Sequence, residues 1–173
     1  MKIYVVRHSI PDYGDWDGYD SATKPADPEL CDKGVEIAQA LADWMVDTEL
    51  VPNFIWASPK NRTLQTAQIL SDTFADAGWS LPPVDIKGSL DSDMSIRKMV
   101  MKAAQDKSYS RVMIVSHHES IEHGMRVLNL EPWIHLDMLA MGELRMLKVD
   151  RKDMTWKEHL RMMPSDFGLN DMY

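Results

Sequence analysis

The sequence predicts an α/β fold, a three-layer α/β/α sandwich in which helices cover both faces of a mostly parallel sheet. Short runs of apolar and β-branched residues alternate along the chain with longer segments whose apolar residues recur at three and four positions. The 173 residues contain no repeat of fixed period, and their number suits one domain whose core needs no disulfides. We therefore expect residues 1–173 to form a single domain.

The first three elements have clear signals. Residues 3–6 are an apolar run rich in β-branched side chains, which favours a buried strand. In 31–47 the apolar residues recur at helical spacing, and this pattern predicts a helix. The run NFIWA, 53–57, predicts a second short buried strand.

A helix over 58–78 is predicted mainly from its end signals. Ser58 is placed to cap its N-terminus, Pro59 stands at the first helical position, and Gly78 follows its end. The remaining predicted elements are a weak strand at 83–87, a helix at 95–107, a strand at 111–115, a helix at 119–130 and two late strands at 142–150 and 154–162.

The composition argues against several classes of partner. The net charge is −8, whereas nonspecific binding to nucleic acid or to an anionic membrane needs a basic surface. No apolar run approaches the ~20 residues of a membrane span. The single cysteine, Cys31, allows no intrachain disulfide and fits a reducing compartment. We therefore expect a cytoplasmic protein without nucleic-acid or membrane partners.

Basic and imidazole side chains follow three of the predicted strands. Arg7 and His8 come directly after the first, Arg62 lies in the first turn of the helix after the second, and His117 follows the strand at 111–115. Parallel strands in such a fold end at one edge of the sheet, and ligands bind outside that edge. We therefore expect these side chains to form one site.

These residue types suit phosphoryl transfer. Arginines offer forked donors that match a phosphate, and the start of a helix also favours an anion. A neutral histidine attacks phosphorus through one nitrogen while its other nitrogen donates a hydrogen bond, and a protonated second histidine can donate to a phosphoryl oxygen. The sequence lacks a P-loop motif, and Ile37 stands where a cysteine phosphatase built on Cys31 would need arginine.

The segments VVRHS (5–9), ASPKNRTLQTAQIL (57–70) and IVSHHESI (114–121) resemble the motifs of the histidine phosphatase superfamily, whose fold is called phosphoglycerate mutase-like. The family has Arg-His-Gly after its first strand, then Ser-Pro-x-x-Arg-x-x-x-Thr-Ala, and later Gly/Ser-His. Residues 28–42 are also similar to a family helix start, Leu-Thr-x-x-Gly-x-x-Gln-Ala. In length and simplicity the chain looks closest to the small SixA-like phosphohistidine phosphatases.

The resemblance implies roles at the matching positions. His8 would be the nucleophile that becomes phosphohistidine, and Arg7, Arg62 and His117 would hold the phosphoryl oxygens. The family needs no metal and no cofactor for this chemistry. Ser9 stands where glycine is usual, and we assign it to substrate binding because a small residue lets the backbone approach a phosphate, although a positive φ there would cost more than for glycine.

The glutamate that many members use as proton donor has no clear counterpart. Asp91 and Asp93 are the first candidates, and Glu119 and the acids between Asp12 and Asp20 are the others. A phosphoramidate or an activated leaving group needs less protonation, which favours the SixA-like interpretation.

The sequence therefore predicts a phosphatase that acts on a phosphorylated small molecule or on a phosphoprotein. Two alternatives remain: a phosphoglycerate-type mutase, and a catalytically weak pseudoenzyme that binds phosphate. The aspartate- and aromatic-rich stretch 10–29 leaves the site edge, where it either caps the pocket or forms a solvated loop. The sequence does not determine the oligomeric state.

Overall fold

A computed structural model describes residues 1–15, 22–91, 95–128, 139–153 and 155–169. Among these residues no helix combines the length and the apolar character needed to cross a membrane. The elements are β1 (Lys2–Arg7), α1 (Asp32–Asp47), β2 (Phe54–Ala57), α2 (Asn61–Asp76), β3 (Asp85–Ile86), α3 (Ser95–Gln105), β4 (Arg111–Ser116), α4 (His118–Leu128), β5 (Leu144–Val149) and β6 (Trp156–Met162), with 3₁₀ turns at Gly88–Asp91 and Pro164–Phe167.

The six strands within the described residues form one sheet in the order β3-β2-β4-β1-β5-β6. The pairs β3–β2, β2–β4 and β4–β1 are parallel, while β5 pairs antiparallel with both β1 and β6. Arg7 lies opposite Ser116, and Ala57 lies opposite Val115. The prediction of a mostly parallel sheet is confirmed, and three of its strands end at nearly the same level.

Helices cover both faces of the sheet, which confirms the three-layer α/β/α sandwich. On one face, Leu41 of α1 and Leu70 of α2 pack in a cluster of buried residues that includes Val6 of β1. On the other face, Val100 of α3 and Ile121 of α4 pack in a second cluster. Both clusters draw on β1, β2, β4 and β5, so the strands that lead to the candidate site are held from both sides.

The strand β1 is buried over residues 3–6 and leads directly to Arg7 and His8, the first pair of candidate site residues. Ile3, Tyr4, Val5 and Val6 are all at most 1% exposed, because β1 lies between β4 and β5. Burying each of the three aliphatic side chains among them stabilises the fold by roughly 1.5–3 kcal/mol. Arg7 is the first residue after Lys2 that is partly exposed. The first candidate site residue therefore lies where the buried part of β1 ends.

The start of α2 differs from the sequence prediction. The helix begins at Asn61 with Lys60 as N-cap, so the assignment of Ser58 as N-cap and Pro59 as first helical residue is wrong. A distant residue satisfies the helix start instead, because the backbone N–H of Asn61 donates to Oδ1 of Asp27 at 2.8 Å. The prediction at the other end is confirmed, since Gly78 follows the helix with φ of 88°.

Candidate active site

The backbone fixes the first residues beyond the strands. The N–H of His8 donates to the carbonyl of Ser116 at 3.0 Å, and the N–H of Ser58 donates to the carbonyl of Val115 at 3.1 Å. The parallel ladder therefore continues one residue past β1 and β2. This extension places His8 and Ser58 on rigid backbone beside His117, the residue that follows β4.

The ring of His8 is held in one orientation. It is 5% exposed, and its Nδ1 lies 2.7 Å from the carbonyl oxygen of Ser9. A carbonyl only accepts, so Nδ1 carries the proton and donates. Nε2 then keeps its lone pair and accepts from Nε of Arg62 at 3.3 Å. His8 thus has the tautomer that a nucleophilic nitrogen requires.

The guanidinium of Arg62 links the second strand end to the other two. Its Nη2 donates to Nδ1 of His117 at 3.3 Å, in addition to the contact of its Nε with His8. Its Nη1 lies 3.7 Å from Oδ1 of Asp27, the carboxylate that also receives the first N–H of α2. The predicted convergence of His8, Arg62 and His117 is therefore observed in the structure.

The tautomer of His117 follows from its neighbours. Arginine has no acceptor, so Nδ1 of His117 must accept from Arg62 and the proton lies on Nε2. Nε2 is 3.0 Å from Oγ of Ser58 and 3.4 Å from Oδ1 of Asp91. Ser58 therefore orients this histidine, a different role from the helix cap that the sequence suggested.

Both histidines are neutral near neutral pH. Burial, with the positive charge of Arg62 nearby, lowers the pKa of His8 to about 3, against a smaller raising effect of its bond to the Ser9 carbonyl. Burial and Arg62 also lower the pKa of His117 to about 4, against the opposing charges of Asp91 and Glu119. The cause is the loss of hydration of the charged ring next to another cation.

A buried ion cluster next to β1 positions Arg7. Nη1 of Arg7 donates to the carbonyl of Leu139 at 2.5 Å, and the N–H of Gly142 lies 3.2 Å from the carbonyls of both Arg7 and His8. Glu143, which is fully buried, accepts from Ala140 N–H at 2.7 Å and from two arginines of β5 and β6. These contacts fix the segment 139–143 against Arg7 and His8.

The N-terminal half of the chain matches a known family. Residues 3–87 match the family model described as the histidine phosphatase superfamily, branch 1, and this segment carries Arg7, His8 and Arg62. Over this segment, 85 of the 173 residues, the chain is similar to the histidine phosphatase superfamily. The match supports an enzyme of the phosphatase class.

Three solved structures of phosphatases share the fold. The protein histidine phosphatase SixA, in complex with tungstate, is 16% identical with a TM-score of 0.77, over 96% of this chain and 99% of that chain. The SixA protein of Agrobacterium tumefaciens is 22% identical with a TM-score of 0.68, over 94% and 98%. A mycobacterial glucosyl-3-phosphoglycerate phosphatase is 16% identical with a TM-score of 0.69, over 92% and 97%. The sequence matches no curated protein.

Ser9, which stands where the family motif has glycine, is fully buried. Its φ is not positive, so serine causes no backbone strain there. Its N–H donates to Oγ1 of Thr66 at 3.1 Å, and its carbonyl accepts from His8. Ser9 is not among the residues that line the pocket. Its observed contacts orient His8, and direct binding of substrate by Ser9 stays a prediction.

The site opens into a pocket of about 670 Å³. Residues 11–14 and Lys24 of the stretch 10–29 form one wall, and the interpretation that this stretch caps the pocket stays a prediction. Nζ of Lys24 lies 4.8 Å from the ring centroid of Tyr13 on that wall. The pocket is lined by Arg7, His8, Pro11, Asp12, Tyr13, Gly14, Lys24, Cys31, Arg62, His117, His118, Glu119 and Met141.

The candidate proton donors occupy different places. Asp12 and Glu119 line the pocket, whereas Asp91 does not and instead lies beside His117 and 3.6 Å from Nζ of Lys60. Asp93 and the acids at 16–20 lie outside the described residues. The role of each acid stays a prediction, but the pocket wall favours Asp12 and Glu119 by position.

Sequence reasoning missed several residues that build the site. Thr66 stands in the quoted Thr-Ala of the second motif, and Oγ1 of this residue ties α2 to Ser9. Asp27 and Glu143 carry no local signal, because each acts through partners far away in sequence. A buried glutamate between two arginines becomes visible only when β5 and β6 are paired.

Proposed function

We propose that this protein hydrolyses a phosphomonoester or a protein phosphohistidine through a phosphohistidine formed on Nε2 of His8. The observation that carries the proposal is the orientation of His8, whose Nδ1–H donates to a backbone carbonyl and leaves the Nε2 lone pair for phosphorus. Arg7 and Arg62 line the same pocket and supply the donors that phosphoryl oxygens require.

In the first step, Nε2 of His8 forms a bond to phosphorus as the bond between phosphorus and the leaving group breaks. The electron pair of that bond goes to the leaving oxygen or nitrogen, which takes a proton from an acid on the pocket wall. Nε–H of Arg62 exchanges its contact with His8 for a phosphoryl oxygen. Its 3.3 Å distance from Nε2 makes this exchange a small movement.

In the second step, water attacks phosphorus and the N–P bond breaks. The electron pair returns to Nε2 of His8, the proton of the water goes to the carboxylate that served as acid, and inorganic phosphate leaves. The strongly lowered pKa of His8 supports this cycle, because the ring returns to the neutral form that can attack again.

His117 changes its protonation state when a phosphoryl group binds. A phosphoryl dianion next to the ring raises its pKa from about 4, and Asp91 on the opposite side acts in the same direction. The protonated ring then donates from Nδ1 to a phosphoryl oxygen, while Nε2–H keeps its contact with Ser58. This follows the sequence prediction that the second histidine holds the transferring group.

We assign the leaving-group proton to Glu119 or Asp12. Both carboxylates line the pocket, and the side chain of Asp91 is engaged by His117 and Lys60 instead. A general acid must come within hydrogen-bond reach of the leaving atom, so position on the pocket wall is the first requirement.

The pocket gives room for more than the phosphoryl group. A volume of about 670 Å³ lies in the range of small-molecule sites and also admits the end of a histidine side chain. The likeness to SixA supports a protein phosphohistidine, and the likeness to a glucosyl-3-phosphoglycerate phosphatase supports a small phosphomonoester. A reducing compartment such as the cytoplasm, inferred from the single Cys31, completes the proposal.

Trapping the intermediate tests the proposal. The protein is mixed with a ³²P-labelled substrate, and the reaction is stopped either in alkali, where phosphohistidine survives, or in acid, where it is lost. We expect alkali-stable label on the wild type and on His159→Ala, which changes an exposed histidine of β6, and none on His8→Ala. Turnover without such label, or label on His8→Ala, would place the chemistry elsewhere.

Substrate comparison then separates the alternatives. An aryl phosphate distinguishes an enzyme from a phosphate-binding pseudoenzyme, and product analysis with a phosphoglycerate distinguishes hydrolysis from a mutase. A phosphohistidine peptide and a set of sugar phosphates, compared by kcat/KM, decide between the two substrate classes.

A further inference from the structure

The end of the sheet opposite the candidate active site carries a row of four cations. Arg111 of β4 pairs with Lys2 of β1, Lys2 pairs with Lys148 of β5, and Lys148 pairs with Lys157 of β6. Residues that pair directly across strands share one face of the sheet. These four residues, here called the basic row, therefore project side by side from four adjacent strands.

The basic row is unfavourable for stability on its own. Like charges directly opposite each other on neighbouring strands destabilise a sheet, and the row contains three such pairs. No carboxylate of the described residues forms an ion pair with any of the four side chains, although the chain carries 27 acids and 19 lysines and arginines. A cluster of unneutralised cations in an acidic protein suits the binding of an external anion.

The row borders a concave surface. A pocket of about 720 Å³ is lined by all four members of the row and by Asp150, the one acid among the described residues of its lining. The carboxylate of Asp150 already accepts from the N–H of Lys152 at 2.8 Å. Lys2 and Arg111 are half-buried, whereas Lys148 and Lys157 are exposed, so the two ends of the row differ in accessibility.

We propose that the basic row is a docking site for an acidic protein segment in extended conformation. Strands lie about 4.8 Å apart, so four adjacent cations cover roughly 14 Å. Alternate side chains of an extended chain lie about 7 Å apart on one face, so three alternating acids span the same length. Inorganic triphosphate is shorter than the row and contacts only part of it. Charge complementarity and this linear arrangement favour the acidic segment.

Binding at the basic row leaves the candidate active site open. The row lies at the amino end of β1 and His8 follows its carboxyl end, a separation of about 20 Å for a strand of this length. The overall charge of −8 does not prevent docking, because at physiological ionic strength charges more than about 8 Å away are largely screened. A partner docked here remains attached while the enzyme turns over.

Fluorescence anisotropy with a labelled peptide of alternating glutamates tests the proposal. We expect binding that weakens as salt rises, and a loss of about tenfold or more in affinity for Lys148→Glu/Lys157→Glu. The control Lys98→Glu/Lys102→Glu makes the same charge change on exposed residues of α3 and keeps the affinity. Turnover of an aryl phosphate, unchanged in both variants, verifies that they are folded.

Thermal stability provides a second readout. Replacing Lys148 and Lys157 by glutamine removes like-charge pairs, so we expect the melting temperature to hold or rise while affinity for the peptide falls. The proposal is overturned if the wild type does not bind the peptide, or if the α3 control loses as much affinity as the row variant. Displacement of the peptide by inorganic triphosphate at equal concentration would overturn it in favour of a small-anion site.

Discussion

Nε of Arg62 lies 3.3 Å from Nε2 of His8, the nitrogen that would attack phosphorus. The same guanidinium contacts His117 through Nη2 at 3.3 Å, so one side chain joins the ends of three strands. An arginine placed in this way lowers the pKa of the nucleophile, and it can donate hydrogen bonds to the phosphoryl oxygens. The behaviour of Arg62 variants is therefore the most direct check of the site.

We expect Arg62→Ala to lower kcat/KM by about 10²–10³, the usual cost of losing a donor to transition-state charge. Arg62→Lys should stay well below wild type, because lysine keeps the charge and loses the fork that reaches both histidines. Steady-state kinetics with an aryl phosphate measure both effects, with circular dichroism to verify folding.

The matched control for Arg62 is Asp27→Asn. It removes the carboxylate charge 3.7 Å from Nη1, and its remaining oxygen can still accept from the N–H of Asn61. We expect a loss of less than about tenfold, since a partly exposed ion pair contributes little. Near-normal kinetics of Arg62→Ala would contradict the proposed site.

The lowered pKa values of His8 and His117 predict acid sensitivity of the fold. Their folded pKa values are about 3 and about 4, below the ordinary 6.5, so below pH 6.5 the unfolded chain binds protons that the folded chain does not. The free energy of unfolding should therefore decrease as the pH falls from 6.5 toward 4 and be insensitive to these groups above 6.5.

Urea denaturation at a series of pH values measures this dependence. His117→Gln should show a shallower decrease than the wild type, because one of the two groups no longer titrates. His159→Gln, which changes an exposed histidine, serves as the control. Equal slopes in all three proteins would mean that the pKa of His117 is not lowered by folding.

Leaving-group dependence identifies the proton donor. We expect Glu119→Gln or Asp12→Asn to slow an alkyl phosphate by about 10²-fold or more and an aryl phosphate much less, because a good leaving group needs no proton. Asp91→Asn should affect both substrates alike, since Asp91 contacts His117 and does not line the pocket. If Asp91→Asn is the only variant that slows hydrolysis of the alkyl phosphate much more than that of the aryl phosphate, Asp91 is the acid.

Replacement of the buried Glu143 should reduce stability and turnover together. Glu143→Gln leaves Arg145, which is 4% exposed, and Arg161 without their shared carboxylate, and breaking a buried pair in this way typically costs about 3–5 kcal/mol. The segment that receives Arg7 loosens as well. Glu158→Gln, which removes an exposed carboxylate 3.6 Å from Arg145, should be near neutral in both denaturation and kinetics.

The variant Ser9→Ala distinguishes two roles of Ser9, which are the orientation of His8 and a direct contact with substrate. The Oγ of Ser9 is buried and has no hydrogen-bond partner among the described residues, so its removal should leave stability unchanged or raise it by about 1 kcal/mol. The backbone contacts with Thr66 and His8 remain, and we expect KM within about twofold of wild type. A large rise in KM would instead support a direct contact between the Ser9 hydroxyl and substrate.

The sequence determined the parts of this protein that depend on local pattern and on general rules of topology. Apolar runs marked β1, β2 and β4, and helical spacing marked α1, because burial of one face leaves a period in the chain. Parallel strands end at one edge, so His8, Arg62 and His117 could be placed together before any distance was known. The motifs around them led to the histidine phosphatase superfamily, which the family match confirmed.

Tertiary structure alone decided how those side chains are oriented. Ser58 looked like a helix cap from its neighbours, yet its hydroxyl lies 3.0 Å from His117, 59 positions away, and the start of α2 is satisfied by Asp27 instead. Likewise Glu143 and the basic row depend on which strands pair and in what register. A hydrogen bond or a charge pair between residues far apart in sequence leaves no local periodicity, so these contacts are fixed only when the sheet brings their backbones together.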